Sequence, residues 1–214
     1  MDYSQEKEHK MTTREDYNKM LDFYIETEKQ FLDFIRIIPL DNNQNTYSPL
    51  LYNILQSSCG QVENLLRMIC DKAGLQYTEK NFPSYHSQLN SKKMLEKQTV
   101  LLLKTKKKYN PFMIDQGFIT PFWWRGYNDT KHDLPNGLKQ GNLENTINAL
   151  SSVYILHCVA RYAHYSVHVI DDSLWYSTDP LYTVSGELVR EHSMYPKSEL
   201  FYSMRRFNSA GVPT

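Results

Sequence analysis

The segment PFWWRGYNDTKHD, residues 121–133, concentrates side chains that could act on a phosphodiester. If the segment is helical, Arg125, Asn128, Asp129 and His132 stand at i, i+3, i+4 and i+7 and share one face. Histidine moves protons near neutral pH, and arginine binds phosphate through paired N–H donors without losing its charge. Asp129 could orient either group, and Asn128 could donate to a phosphate oxygen. A helix face with these four residues is therefore a candidate catalytic site.

The aromatic residues beside this face are open to two interpretations. Trp124 and Lys131 border the polar face on one side, and Tyr127 lies on the other, so the three could contact RNA by stacking and charge. Tryptophans are more often anchors in a hydrophobic core, and an Arg–Asp pair at i, i+4 is more often a surface ion pair. Spacing alone does not decide between a site and a structural helix.

A resemblance favours the site. The sequence WWRGYNDTKH (residues 123–132), followed after a short break by NLENTINALSSVYIL, resembles the helix pair of HEPN-domain proteins. The similarity covers about residues 15–165 in architecture and 121–156 in recognisable residues. The HEPN signature is an arginine, a short spacer and a histidine, which in this chain corresponds to Arg125 and His132.

The resemblance implies a bundle of four or five helices that forms a homodimer. Each copy would contribute Arg125 and His132 to one composite cleft, where RNA is cut without a metal ion or another cofactor. It implies an endoribonuclease of a toxin or antiviral-defence system, with an antitoxin or another defence protein as a possible partner. Many active members carry a polar residue directly after the arginine, whereas this chain has Gly126. The alternative is therefore an inactive HEPN-like module that binds a partner protein, a nucleotide or RNA. A helical structural protein unrelated to that family is a third alternative.

The elements that would position these residues are predicted to be helices. Apolar residues recur at steps of three and four over 12–38, and Ser48-Pro49 predicts the start of a second helix that reaches Gly74. We expect helices over 87–95, 122–133 and 142–165, and a short strand over 99–103. The predicted fold class is mainly α, an up-and-down bundle of four to five helices over residues 1–165. Residues 166–214 are expected to form a C-terminal appendage that packs on the bundle and is irregular or contains β-strands.

Composition limits the kinds of partner that the protein is expected to bind. The 24 basic and 24 acidic residues balance, which argues against holding long duplex nucleic acid by bulk charge. The basic run 104–108 is expected to be a solvated turn. The N-terminus lacks an apolar signal region and no stretch is long and apolar enough for a membrane span, so we expect a cytoplasmic protein without a membrane partner.

Cysteines and histidines give no metal signature. Cys59, Cys70 and Cys158 have no CxxC spacing and are expected to be reduced, mostly buried thiols. His157, His164 and His168 could share a helical face, but no carboxylate lies at ligand spacing before Asp171 and Asp172, so no metal site is predicted. His86 is placed in a polar loop without a role.

Overall fold

The computed structural model describes residues 14–91, 95–96, 98–102, 104–165 and 201–204. In this part of the chain the fold is a mainly α bundle, which confirms the predicted fold class. Its long helices are α1 (Arg14–Ile37), α2 (Pro49–Lys72) and α6 (Leu143–Tyr165), and its shorter ones are α3 (Phe82–Ser91), α4 (Phe122–His132) and the single turn α5 (Leu134–Gly137). A 3₁₀ turn over Leu138–Gln140 joins α5 to α6.

Helices α2 and α6 form the centre of the core. Ser48 caps α2 as predicted, with its Oγ accepting from Leu51 N at 3.1 Å and Pro49 in the first turn. Residues 145–160 of α6 are all buried, so the bundle encloses this helix on every side over that range. Three polar members of α6 tolerate burial because they bond to their own helix: Ser151 and Ser152 both donate to Asn148 O, at 2.9 and 2.8 Å, and Asn148 donates to Glu144 O at 2.9 Å.

The start of α3 differs from the prediction. The helix begins at Phe82, five residues before the expected 87, because Asn81 Oδ1 accepts from Ser84 N at 3.1 Å and Pro83 occupies the first turn. His86 therefore lies in a helix rather than a polar loop. It is 2% exposed and stacks between the rings of Phe82 and Phe112, with centroid distances of 5.3 and 5.8 Å.

A small antiparallel sheet packs beside the bundle, with strand order β2-β1-β3. The predicted strand is β1 (Thr99–Leu102), which pairs with β2 (Lys108–Tyr109) and β3 (Phe201–Met204). The basic run forms the exposed turn between β1 and β2, as expected for a solvated turn. Strand β3 belongs to the predicted appendage, and its pairing with β1 joins residues 201–204 to the body. Residues 166–200 and 205–214 of the predicted appendage lie outside the described residues.

Among the helices that the structure describes, none combines the length and apolar character needed to cross a bilayer.

Candidate functional site

Helix α4 is held by its aromatic residues. Trp123 is fully buried, and its indole Nε1 donates to Pro111 O at 2.6 Å. Trp124 is 5% exposed and stacks on the ring of Phe82 with centroids 4.0 Å apart. Farther along the helix, Thr130 Oγ1 accepts from Gln56 Nε2 of α2 at 2.6 Å. These contacts fix the rotation of α4, so its predicted polar face turns away from the core.

The structure divides that polar face between two places. The guanidinium of Arg125 turns toward the loop that precedes α4, where Nη1 donates to Thr120 O at 2.6 Å and Nη2 to Asp115 Oδ2 at 2.8 Å. Its Cζ lies 3.7 Å from the centre of the Phe118 ring, a cation–π distance. The Arg125 side chain is 29% exposed. Arg125 therefore organises the 115–120 loop, and it does not line the cleft at the other end of the helix.

The other three predicted catalytic residues come together at that cleft. Asn128, Asp129 and His132 line an open cleft of about 430 Å³, with Asp133, Gly137 and Gln140. His132 and Asp129 are exposed and Asn128 is half-buried. The cleft thus combines an accessible imidazole with two carboxylates and two side-chain amides. This set can move a proton and can both donate and accept hydrogen bonds.

Gly137 lets the chain return against α4 to form the cleft, and Gly141 lets it pass close to α2. The helix stops at Asp133, which has φ −144° and ψ 81°, and the one-turn α5 follows directly. A Cβ on Gly137 would lie 2.7 Å from Thr130 Cα, and one on Gly141 would lie 2.8 Å from Tyr52 Cα. Only residues without a side chain permit these backbone approaches. The sequence analysis treated residues 134–141 as a short break between helices and therefore missed Gly137 and Gln140, and it assigned no role to Asp133.

The residues predicted to contact RNA have three different environments. Trp124 is a core side chain stacked on Phe82, and its burial leaves no ring face for a nucleobase, which corrects the expected stacking role. Tyr127 is half-buried, and burial raises its pKa. Lys131 is exposed, with Nζ 5.9 Å from the centre of the Tyr127 ring. Of the three residues, Lys131 is the only exposed one, and its ammonium group is accessible to solvent.

The buried histidines are core residues. His157 is fully buried between the rings of Tyr17 and Tyr24, at 5.5 and 5.4 Å, and burial lowers its pKa to about 3. Burial lowers the pKa of His86 to about 4, against a smaller opposing effect of the Phe112 backbone. Within the described residues no three histidine, cysteine or acidic side chains cluster as metal ligands do. His168, Asp171 and Asp172 lie outside that part of the chain.

No protein-family model, curated protein or solved structure matches this chain. The resemblance to HEPN-domain proteins therefore stays a prediction from the sequence of residues 121–156.

Proposed function

We propose that the protein is a HEPN-like, metal-independent endoribonuclease that acts as a homodimer in a toxin or antiviral-defence system. The observation that carries this proposal is the position of His132, exposed at a cleft with Asn128 and Asp129. A proton-transfer group, a carboxylate to orient it and an amide donor are thereby gathered at one accessible place. An antitoxin or another defence protein would be the regulatory partner.

The reaction needs a base, an acid and stabilisation of charge on phosphorus. In the proposed step the ribose 2′-oxygen forms a bond to the adjacent phosphorus and the bond from phosphorus to the 5′-oxygen breaks. A neutral His132 takes the 2′-hydroxyl proton, and the protonated His132 of the second copy gives a proton to the departing 5′-oxygen. The products are a 2′,3′-cyclic phosphate and a 5′-hydroxyl. General acid–base catalysis of this kind contributes ~10²–10⁴-fold, so positioning must supply the remainder.

Arg125 would stabilise the charge that develops on the phosphorane. Its bonds to Thr120 and Asp115 use two N–H groups of the guanidinium, which has five. The remaining donors and the 29% exposure of the side chain leave it able to meet a phosphate that approaches from a second copy. In this arrangement Asp115 and Phe118 aim the guanidinium and hold it rigid.

The test is cleavage of single-stranded RNA in EDTA by the parent protein and by variants. We expect His132→Ala to lose at least a hundredfold in rate, and Arg125→Lys to lose part of the activity while keeping the charge. Arg36→Ala is the matched control, because Arg36 is an exposed helical arginine paired with Asp33 at 2.7 Å and remote from α4 in sequence. Undiminished cleavage by His132→Ala would remove the assignment.

A second function is favoured by the contacts of Arg125. Because its guanidinium is bonded to the 115–120 loop and does not line the cleft, an inactive HEPN-like module that binds RNA, a nucleotide or a partner protein also fits. The two functions separate in one experiment, with a 2′-O-methylated oligouridine as the binding probe. Binding of this uncleavable strand, together with no cleavage of the matching RNA in EDTA, would favour the inactive module.

A further inference from the structure

One wall of the cleft is formed by Gln140, a residue to which the HEPN resemblance assigns no role. The position of Gln140 depends on packing at Gly126. This glycine is buried where α4 crosses α6, and a Cβ at this position would lie 2.5 Å from Asn145 Nδ2. Asn145 is itself 4% exposed. The missing side chain at position 126 therefore makes room for an amide that comes from the neighbouring helix.

The Asn145 amide fixes the orientation of Gln140. Asn145 Nδ2 donates to the backbone oxygen of Gln140 at 2.8 Å, and a carbonyl oxygen can only accept. The same nitrogen also lies 3.2 Å from the end of the Gln140 side chain, so the atom it meets there must be the acceptor Oε1. The Gln140 amide nitrogen is thereby turned away from Asn145.

Gln140 lines the cleft with His132 and is half-buried. No hydrogen bond from its Nε2 to another residue occurs within the part of the chain that the structure describes. Because Gln140 lines the cleft with its side-chain oxygen already bonded, its amide nitrogen keeps both N–H groups and is a preoriented donor. Preorientation of this kind lowers the entropy cost of binding a ligand oxygen.

We propose that Gln140 binds the RNA strand by donating from Nε2 to a strand oxygen beside His132, and that Asn145 is the positioning residue that aims it. This inference rests on the proposed function and adds a ligand-binding residue to its site. The oxygen belongs either to a phosphate or to a base. Asp129 and Asp133 line the same cleft, and in the proposed function the Arg125 of the second copy offsets their charge at the scissile phosphate beside His132. No such cation is assigned to the position of Gln140, which favours a neutral base oxygen there.

The test uses two uncleavable probes of equal phosphate number, a 2′-O-methylated hexauridine and an abasic strand. Side-chain amide and imidazole resonances are followed by NMR during each titration. We expect the Gln140 amide pair to shift on adding hexauridine. A shift with the abasic strand as well would assign the bond to phosphate. If the His132 ring shifts while the Gln140 pair does not move with either probe, the inference fails and the proposed function stands. If neither group responds, both fail.

Two variants separate positioning from folding. Gln140→Glu keeps an oxygen for Asn145 but replaces the donor with a carboxylate, and we expect about tenfold weaker hexauridine binding. Asn145→Ala should weaken binding several-fold, because Gln140 then loses the hydrogen bond that orients its amide group. Its control is Asn148→Ala, since Asn148 is equally buried on the same helix and donates to Glu144 O at 2.9 Å without lining the cleft. Equal loss of affinity in the two alanine variants would overturn the positioning role.

Discussion

The packing around Asn145 can be tested by replacing two helical glycines with alanine, Gly126 beside Asn145 and Gly60 in open surroundings. Gly60 in α2 has no atom within 4 Å of the position that an added Cβ would take, whereas at Gly126 in α4 that position lies 2.5 Å from Asn145 Nδ2 and 3.2 Å from Gln140 Oε1. Both sites lie within helices, so Gly→Ala relieves the same backbone entropy cost at each. Only the surroundings differ.

The expected magnitudes follow from that difference. Gly60→Ala should raise the free energy of unfolding by about 0.8–1 kcal/mol, the difference in helix propensity between the two residues. At Gly126 the same gain is opposed by overpacking, which costs about 1–3 kcal/mol, and by weakening of the Asn145 hydrogen bonds, which contribute about 1 kcal/mol. We expect Gly126→Ala to lower the free energy of unfolding by about 1–3 kcal/mol. The two variants should thus differ by about 2–4 kcal/mol.

The assay is urea denaturation followed by far-ultraviolet circular dichroism, with unchanged m-values as the check on two-state behaviour. A double-mutant cycle adds Asn145→Ala, which removes the atom that the new methyl group would meet. In that background Gly126→Ala should cost less than in the parent protein, by at least about 1 kcal/mol. Equal stabilisation by Gly60→Ala and Gly126→Ala would refute the close approach of Asn145, and with it the fixed orientation of Gln140.

Burial of histidines and cysteines gives the remaining predictions. Folded-state pKa values of about 3 for His157 and about 4 for His86 lie below the unfolded value, so the unfolded chain binds more protons and stability falls as pH drops below about 6.5. At pH 5 the loss is about 2 kcal/mol per histidine, and His157→Leu should flatten the decline measured by urea denaturation. Cys59, Cys70 and Cys158 are buried thiols that form no disulfide, and burial raises the pKa of the first two, so a thiol reagent should modify all three only on unfolding. Rapid labelling of the native protein would contradict that packing.

The sequence predicted the bounds of a helix correctly where a local signal, such as an N-cap followed by proline, determines where that helix begins. Ser48 and Pro49 predicted the start of α2, and the spacing of residues 122–133 predicted α4 nearly to its bounds. The same kind of signal was present at Asn81 and Pro83, an N-cap followed by a first-turn proline, and interpreting it as a loop misplaced the start of α3. The burial of α6 on all sides could not be predicted from its sequence. Polar residues such as Ser151 and Ser152 have the pattern of a solvent-exposed face, although they are buried and satisfied by the backbone of their own helix.

For the candidate site, helical spacing predicted which residues share a face but not which of them meet. Arg125 and His132 are separated by seven residues, which places them about 10 Å apart along the axis of α4. Because of this distance, the role of each of the two residues is decided by the side chains around its own end of α4. At the first end those neighbours are Asp115 and Phe118, and at the other they are Gly137 and Gln140. None of these four belongs to the motif, and each comes from a segment without periodicity. Within one chain Arg125 and His132 do not line a common cleft, so the proposed chemistry requires an arginine from a second copy to complete the site.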